Sequence, residues 1–432
     1  MTSAPTFGST LPPTAIPDTA AGQVAFVSLT GYNPGSEING AAGGGGFDLP
    51  FYRRYVAALE EAGFEYTLNG YGSSTADSFI VSAATGQLTE RLKPIVALRP
   101  NHTFPLVAAQ KLATLDQLTQ GRAVVHLITG GIDVEQRKHG DYEPKARRYA
   151  RTSEFIDLLR RAWTEPEPFS FAGEFYRFDD FGPGFRTYSG EPVPISIGGQ
   201  SDEAFEVGAA KADWFTFNAG ESIDQVRQDI ERVHGIAARA GRPDPRIWVT
   251  FRPIVAPTDD RAWEKAFDYA ARAGQSAAAF RALFLGKSKV SAPQSAGAQR
   301  QREYATARES YDRASWSGII RATGGAGGAS TALVGGYETV AAAILDQVDA
   351  GASIVSIRGF DTLNDVVDYG RHLLPLVRQE IAHRTATGQR GDLQRNASGF
   401  GRADFLAAHD AAASAAAASA AANATETAPA AR

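Results

Sequence analysis

Pro194–Phe217 reads P-I-S-I-G-G-Q-S-D-E-A-F-E-V-G-A-A-K-A-D-W-F-T-F. It holds a whole strand–turn–helix–strand unit. Pro194–Gly198 is a short apolar run, the pattern of a strand buried on both faces. Two glycines then break it. Ser201 and Asp202 are residue types that start a helix, and Asp202–Lys211 follows with a helical pattern. Trp214–Phe217 is a second apolar strand. Joining parallel strands requires a crossover of about this length. The same alternation extends in both directions. Further strands are expected at Val24–Leu29, Tyr66–Leu68, Pro94–Leu98, Ala123–Ile128, Ile247–Val255 and Ile354–Ile357. Helices are expected at Leu49–Ala62, Asp77–Ala84, Pro105–Gln117, Lys145–Trp163, Ile223–Arg239, Asp259–Leu285, Tyr337–Ala350 and Leu363–Ala382. Gly241 and Gly351 follow two of these as stop signals. Eight strands alternating with helices predict an α/β chain closed as a (β/α)8 TIM barrel with insertions. An open doubly wound sheet is the alternative.

Composition narrows the chemistry. The 432 residues include no cysteine and one methionine, the first residue. Disulfides, zinc–thiolate sites, Cys-ligated iron–sulfur clusters and thiolate nucleophiles are therefore excluded. A net charge of −5 speaks against nonspecific nucleic-acid binding. No apolar run approaches the ~18 residues of a membrane span. Residues 1–22 carry no Lys or Arg and lack a signal peptide's basic start, so a cytoplasmic protein with no membrane partner is expected. Residues 1–22 and the Ala-rich 385–432 read as disordered tails around a barrel domain at 23–384. Two segments interrupt the alternation. Pro166–Glu191, rich in aromatics, Gly and Pro, reads as a small β excursion. Gly286–Ser317 reads as a long polar loop of the kind that serves as a lid or binding loop.

In a barrel, chemistry collects at the C-terminal strand ends. His126 lies inside strand four among apolar neighbours and, alone, reads as a hydrogen-bonded core residue. Gly198–Asp202 combines glycines that admit a close ligand with a helix start that favours anions; a capped turn is the plain reading. Arg321 precedes a glycine-rich stretch and suits an anion, or is a surface charge. Arg252 inside an apolar strand needs a partner or a polar cavity. No metal-ligand spacing, catalytic-triad order or dinucleotide fingerprint is present; Gly43–Gly46 and Gly324–Gly328 lack the G-x-G-x-x-G context.

Six stretches carry a resemblance: R-L-K-P-I-V-A-L-R-P (Arg91–Pro100), A-A-Q-K-L-A-T-L-D-Q-L-T-Q-G-R (Ala108–Arg122), V-H-L-I-T-G (Val125–Gly130), R-R-Y-A-R-T-S-E-F (Arg147–Phe155), I-G-G-Q-S-D (Ile197–Asp202) and G-G-A-G-G-A-S-T-A-L-V-G (Gly324–Gly335). In this order they resemble the bacterial-luciferase-like flavin-dependent monooxygenases, especially the alkanesulfonate branch. The resemblance spans about Val24 to Leu376. It implies reduced FMN delivered by a separate NAD(P)H-dependent flavin reductase. It also implies O2 addition as a flavin C4a-(hydro)peroxide and oxidation of a small organosulfur substrate. An alkanesulfonate cleaved to aldehyde and sulfite is expected. By the same resemblance, Thr75, His126 and Thr129 lie against the isoalloxazine, and Glu135 lines its pocket. Tyr149, Arg148, Gly199, Gln200 and Ser201 hold the phosphate. Gly286–Ser317 is the mobile lid, and Arg321 at its hinge, with Arg252, faces substrate. Thr75, His126, Arg252 and Arg321 are the expected catalytic set, in a homodimer or homotetramer.

Four positions depart from that branch. Thr75 stands where it commonly carries Cys, Arg252 for a His, Phe360 for a Tyr and His126 for an Asn. These changes surround one pocket and leave the substrate open. A sulfone, amide, pyrimidine, alkane or chelator substrate is an alternative, as are a deazaflavin-dependent dehydrogenase and a flavin-binding protein without turnover.

Overall fold

The structure is a computed structural model. It describes residues 24–36, 38, 46–182, 184–217, 222–285, 296–307, 309–324 and 331–397. The expected tail 1–22, and all but Gly46 of Gly43–Gly46, lie outside these residues. So do 286–295 of the expected lid, 325–328 of the second glycine run and 398–432 of the expected C-terminal tail.

Eight strands form the barrel: β1 (Ala25–Leu29), β2 (Tyr66–Asn69), β3 (Lys93–Leu98), β4 (Val124–Leu127), β5 (Ile195–Gly198), β6 (Trp214–Phe217), β7 (Arg246–Ala256) and β8 (Ile354–Ile357). Each pairs in parallel with the next, and β8 returns to β1 through Ala25↔Ile354, which closes the cylinder. An open sheet is ruled out. Alternate side chains point inward, as the strand period requires. Ala25, Val27, Tyr66, Ile95, Val124, Trp214, Trp248 and Ile354 form this interior plug. The outward faces pack under the helices in two larger cores.

Four expectations need adjusting. The glycine-rich stretch before the helix Tyr337–Asp349 is partly a strand. Ala332–Gly336 pairs in parallel with the upper half of β7, Ala332↔Arg252 to Gly336↔Ala256. β7 is eleven residues long, outruns β8, and so has an edge to offer. The expected polar loop Gly286–Ser317 contains a helix, Ala296–Ala307, and a short hairpin, Ser310–Tyr311 with Ser315–Trp316. The chain past 384 is also folded. The helix Leu374–Thr387 ends on Gly388, and Asp392–Asn396 adds another turn. Arg384 ties this segment down by ion pairs to Asp349 (2.8 Å) and Glu380 (3.0 Å) and a hydrogen bond to Gln394. Polar anchoring of this kind leaves no apolar periodicity to read. Finally, the helix starting at Ser78 runs on to Leu88. The Pro166–Glu191 excursion is an antiparallel hairpin, Phe169–Ala172 with Arg177–Phe181.

Candidate active site

The barrel mouth is built on β4, β5 and β6. His126 is two residues beyond the interior Val124 and shares its inward face. Its Nδ1 lies 3.0 Å from Ser196 Oγ, and Ser196 Oγ lies 3.2 Å from Thr216 Oγ1. The ring tilts against Trp248 at 5.5 Å. It is deep among protein atoms yet keeps an accessible edge. Burial pulls its pKa down to about 4, so the imidazole is neutral near pH 7. At Gly198 a Cβ would come 3.5 Å from His126 Cε1 and 3.2 Å from Thr216 Cβ. The glycine leaves the space beside the imidazole open.

Beside this floor is a wall suited to an anion. Gly199 has φ +148°, and a Cβ there would sit 2.6 Å from Ala204 Cβ and 2.9 Å from the Tyr149 hydroxyl. Only glycine admits that turn. Gln200 is buried next to it. Ser201 caps the helix Asp202–Lys211, accepting from Ala204 N at 3.4 Å. Tyr149 hydrogen-bonds Ser201 and Thr129, and burial pushes its phenol up to about 12, so it stays protonated. Thr129 Oγ1 lies 3.2 Å from Thr152 Oγ1. Arg148 is 2% exposed. It donates to Glu143 O (2.6 Å), Gly130 O (3.1 Å) and Asp133 Oδ1 (2.9 Å). Its Nε is buried and makes no hydrogen bond among the described residues. The Tyr149 phenol, the Gly199 cradle and the start of the helix Asp202–Lys211 therefore converge, and the charge of the buried Arg148 acts on the phenol.

Thr75 lies in the segment after β2, where its Oγ1 accepts from Gly72 N at 2.8 Å. Glu135 grips the same segment, accepting from Ser73 N (2.6 Å) and Ser73 Oγ (2.9 Å). Burial pushes the Glu135 carboxyl up, but Ser73 and Lys138 outweigh it and leave it below the usual range. A Cβ on Gly72 would reach 3.5 Å from Glu135 Oε1 and 3.6 Å from Thr75 Cγ2. Glu135 and Thr75 thus flank one turn.

Arg252, four residues past Trp248, keeps the inward parity where β7 parts from β8. It is 2% exposed. Its guanidinium carbon lies 3.6 Å from the centre of the Phe360 ring, and its Nη2 donates to Gly359 O at 3.1 Å. Arg252 and Phe360 are thus a single stacked pair. Arg321 is set apart from these groups. It is exposed on the helix Gly318–Thr323, donating to Ala305 O (2.6 Å) and paired with Glu309 at 3.4 Å. One cluster escaped the sequence reading. Tyr71, Arg99, His102 and His139 follow β2, β3 and β4 and meet at the same end of the barrel. Arg99 and His102 stand just after β3, where the strand-end rule points.

With this geometry in view, comparison with known proteins is informative. The family described as luciferase-like monooxygenase matches residues 26–353. The chain is 28% identical over 349 residues to the FMNH2-dependent dimethylsulfone monooxygenase of Pseudomonas putida, covering 79% of this chain and 91% of the relative. Among solved structures it is similar to DmoA from Hyphomicrobium sulfonivorans, with TM-score 0.67, 18% identity, and 88% and 92% of the two chains covered. It is also similar to the EDTA monooxygenase from a Chelativorans species, with TM-score 0.66, 16% identity, and 83% and 94% covered. At such identities the two structures speak for the fold.

Proposed function

Because the chain belongs to the luciferase-like monooxygenase family, we propose that it is a two-component monooxygenase that receives reduced FMN from a separate flavin reductase and uses O2 to oxidise a small organosulfur compound. The observation that carries this reading is the juxtaposition of the anion wall (Arg148, Tyr149, Gly199–Ser201) with the neutral His126 floor. The missing Cβ at Gly199 and the unbonded Nε of Arg148 fit a phosphate monoester. The name of the Pseudomonas putida relative supports both FMN and the organosulfur class.

Bound reduced flavin supplies the electrons that activate O2. The residues of this chain bind, orient and exclude water. Arg148, Tyr149, Gly199, Gln200 and Ser201 hold the phosphate. Thr75, His126 and Thr129 lie along the ring, with Glu135 lining the pocket. His126 can hydrogen-bond there without adding charge, because burial keeps it neutral. Trp214 and Trp248 seal the barrel below it. Gly286–Ser317 serves as the lid, and Arg321 contributes from its base. The enzyme is proposed to act in the cytoplasm as a homodimer or homotetramer. Among the described residues, no helix is long and apolar enough to cross a membrane.

The substrate proposed is a small neutral sulfone. Arg252 is stacked on Phe360 and Arg321 is engaged with Glu309, which weakens the case for a substrate anion. An alkanesulfonate is the second reading, favoured by the buried charge of Arg252. Products separate them. Carbon–sulfur cleavage of a sulfone gives a sulfinate and an aldehyde, while a sulfonate gives sulfite and an aldehyde. Dimethylsulfone and a set of alkanesulfonates, each given with flavin reductase and O2, are expected to yield sulfinate from the first. Sulfite from the sulfonates alone would move the assignment to the second reading.

A further inference from the structure

Three rings meet where the segments after β2, β3 and β4 converge. His102 and His139 are edge to face, centroids 4.5 Å apart. Tyr71 lies 5.3 Å from His102 and 5.9 Å from His139. Arg99, 4% exposed, packs over Tyr71 at 5.6 Å. Its Nη1 is 3.2 Å from His139 Nδ1, and its Nη2 is 3.3 Å from Glu135. A guanidinium only donates. His139 Nδ1 is therefore the acceptor in this contact. Glu135 passes the hold to Ser73, two residues from Thr75. The bonded series His139–Arg99–Glu135–Ser73 thus fastens three separate segments and ends beside a residue of the cofactor mouth.

The electrostatics make this fastening sensitive to protons. Both ring nitrogens of His102 are buried and make no hydrogen bond among the described residues. Burial, then His139, Arg99 and Arg151, hold its pKa down at about 4, with Asp141 opposing. Lys138 faces Glu135 at 3.2 Å, and Asp77 acts on Tyr71. In an opened, hydrated arrangement an imidazole titrates near ~6.5. The group is depressed when the cluster is closed. Closure is therefore favoured above that value and weakens as pH falls from about 6.5 toward 4.

We propose that Arg99 and His139 are positioning residues for the cofactor mouth, forming with His102 a proton-sensitive latch that holds the Ser73–Thr75 segment and releases it when His102 is protonated. Its consequence for the cofactor rests on the flavin reading above; the latch itself does not. Two measurements on the full chain, from pH 8 to 5.5, test it. The first is amide-exchange protection of the Gly72–Ala76 segment without ligand, corrected for intrinsic rates. The second is affinity for oxidised FMN, followed by fluorescence quenching. In the wild type both are expected to fall, affinity by roughly tenfold, the effect of one pKa unit. His102→Phe, which keeps bulk but cannot be protonated, is expected to flatten both profiles. Arg99→Ala is expected to lose protection of the segment at every pH, with Arg99→Lys restoring part of it. Comparing each variant with the wild type cancels titration of the FMN phosphate and of His126. The latch is overturned if the exchange profile of the wild type is flat, or if His102→Phe follows it. FMN that fails to bind at any pH overturns the flavin reading instead, and exchange still decides the latch.

Discussion

Gly199 is the residue at which sequence, geometry and proposed binding coincide. Its φ of +148° lies where side chains are strained, and a Cβ would press on Ala204 and Tyr149. Gly199→Ala should cost about 1–3 kcal/mol in thermal unfolding and weaken FMN binding more than that loss of stability explains. An unchanged FMN titration would remove the turn from the phosphate site. His126 is a second case. Its pKa near 4 lies below the unfolded value, so its stabilising contribution is complete above about pH 6.5 and is lost as pH falls toward 4. Replacing it with Asn should flatten that part of the stability profile, measured by chemical unfolding at stepped pH. Arg252 and Phe360 show what a sequence cannot display. Each reads separately as a departure from relatives, whereas in three dimensions the cation rests on the ring. Phe360→Leu should remove about 0.5–2 kcal/mol of this interaction, seen as a lower Tm. It should also alter KM for the sulfur substrate if the pair borders the substrate space.

Elements held by apolar faces were legible, and elements held by polar pairs were not. The helix Ala296–Ala307 buries only Gly297 and Ala305, so it offers no apolar stripe. It is fixed by Arg300 to Asp229 at 3.1 Å and by Tyr304 near Ser222 at 3.4 Å. Asp312, in the hairpin that follows, accepts from Ile223 N at 3.1 Å. The proposed lid is thus moored to the start of the helix Ile223–Arg239. Residues 385–397 follow the same rule through Arg384. Arg384→Ala leaves Asp349, Glu380 and Gln394 short of a donor and should destabilise by about 1–3 kcal/mol. An exchange experiment should locate the loosening in 388–397; a uniform loss of protection would contradict this local role. The strand Ala332–Gly336 was hidden by its glycines and by pairing outside the eight-strand cylinder, in parallel with the part of β7 that outruns the barrel and antiparallel with Ser315–Trp316.

For the whole molecule, the barrel was readable because most of its strands are short, largely apolar runs of the kind that two-sided burial demands. The Gly199–Ser201 turn was readable too, because its cap and glycines are local signals. The cluster of Tyr71, Arg99, His102 and His139 was not, since its members come from three segments that meet only when β2, β3 and β4 pair side by side. Pairing of β4 with β5 puts the anion wall beside the His126 floor, and the proposed oxygenation depends on that adjacency. The most direct measurement is turnover of dimethylsulfone by the purified chain with a flavin reductase, NADH and FMN, with sulfinate and formaldehyde quantified in air and under nitrogen. Both products are expected in equal amounts, only with O2 and only with the reductase. Turnover that persists without O2, or tight FMN binding with no product from any sulfone or sulfonate, would contradict this.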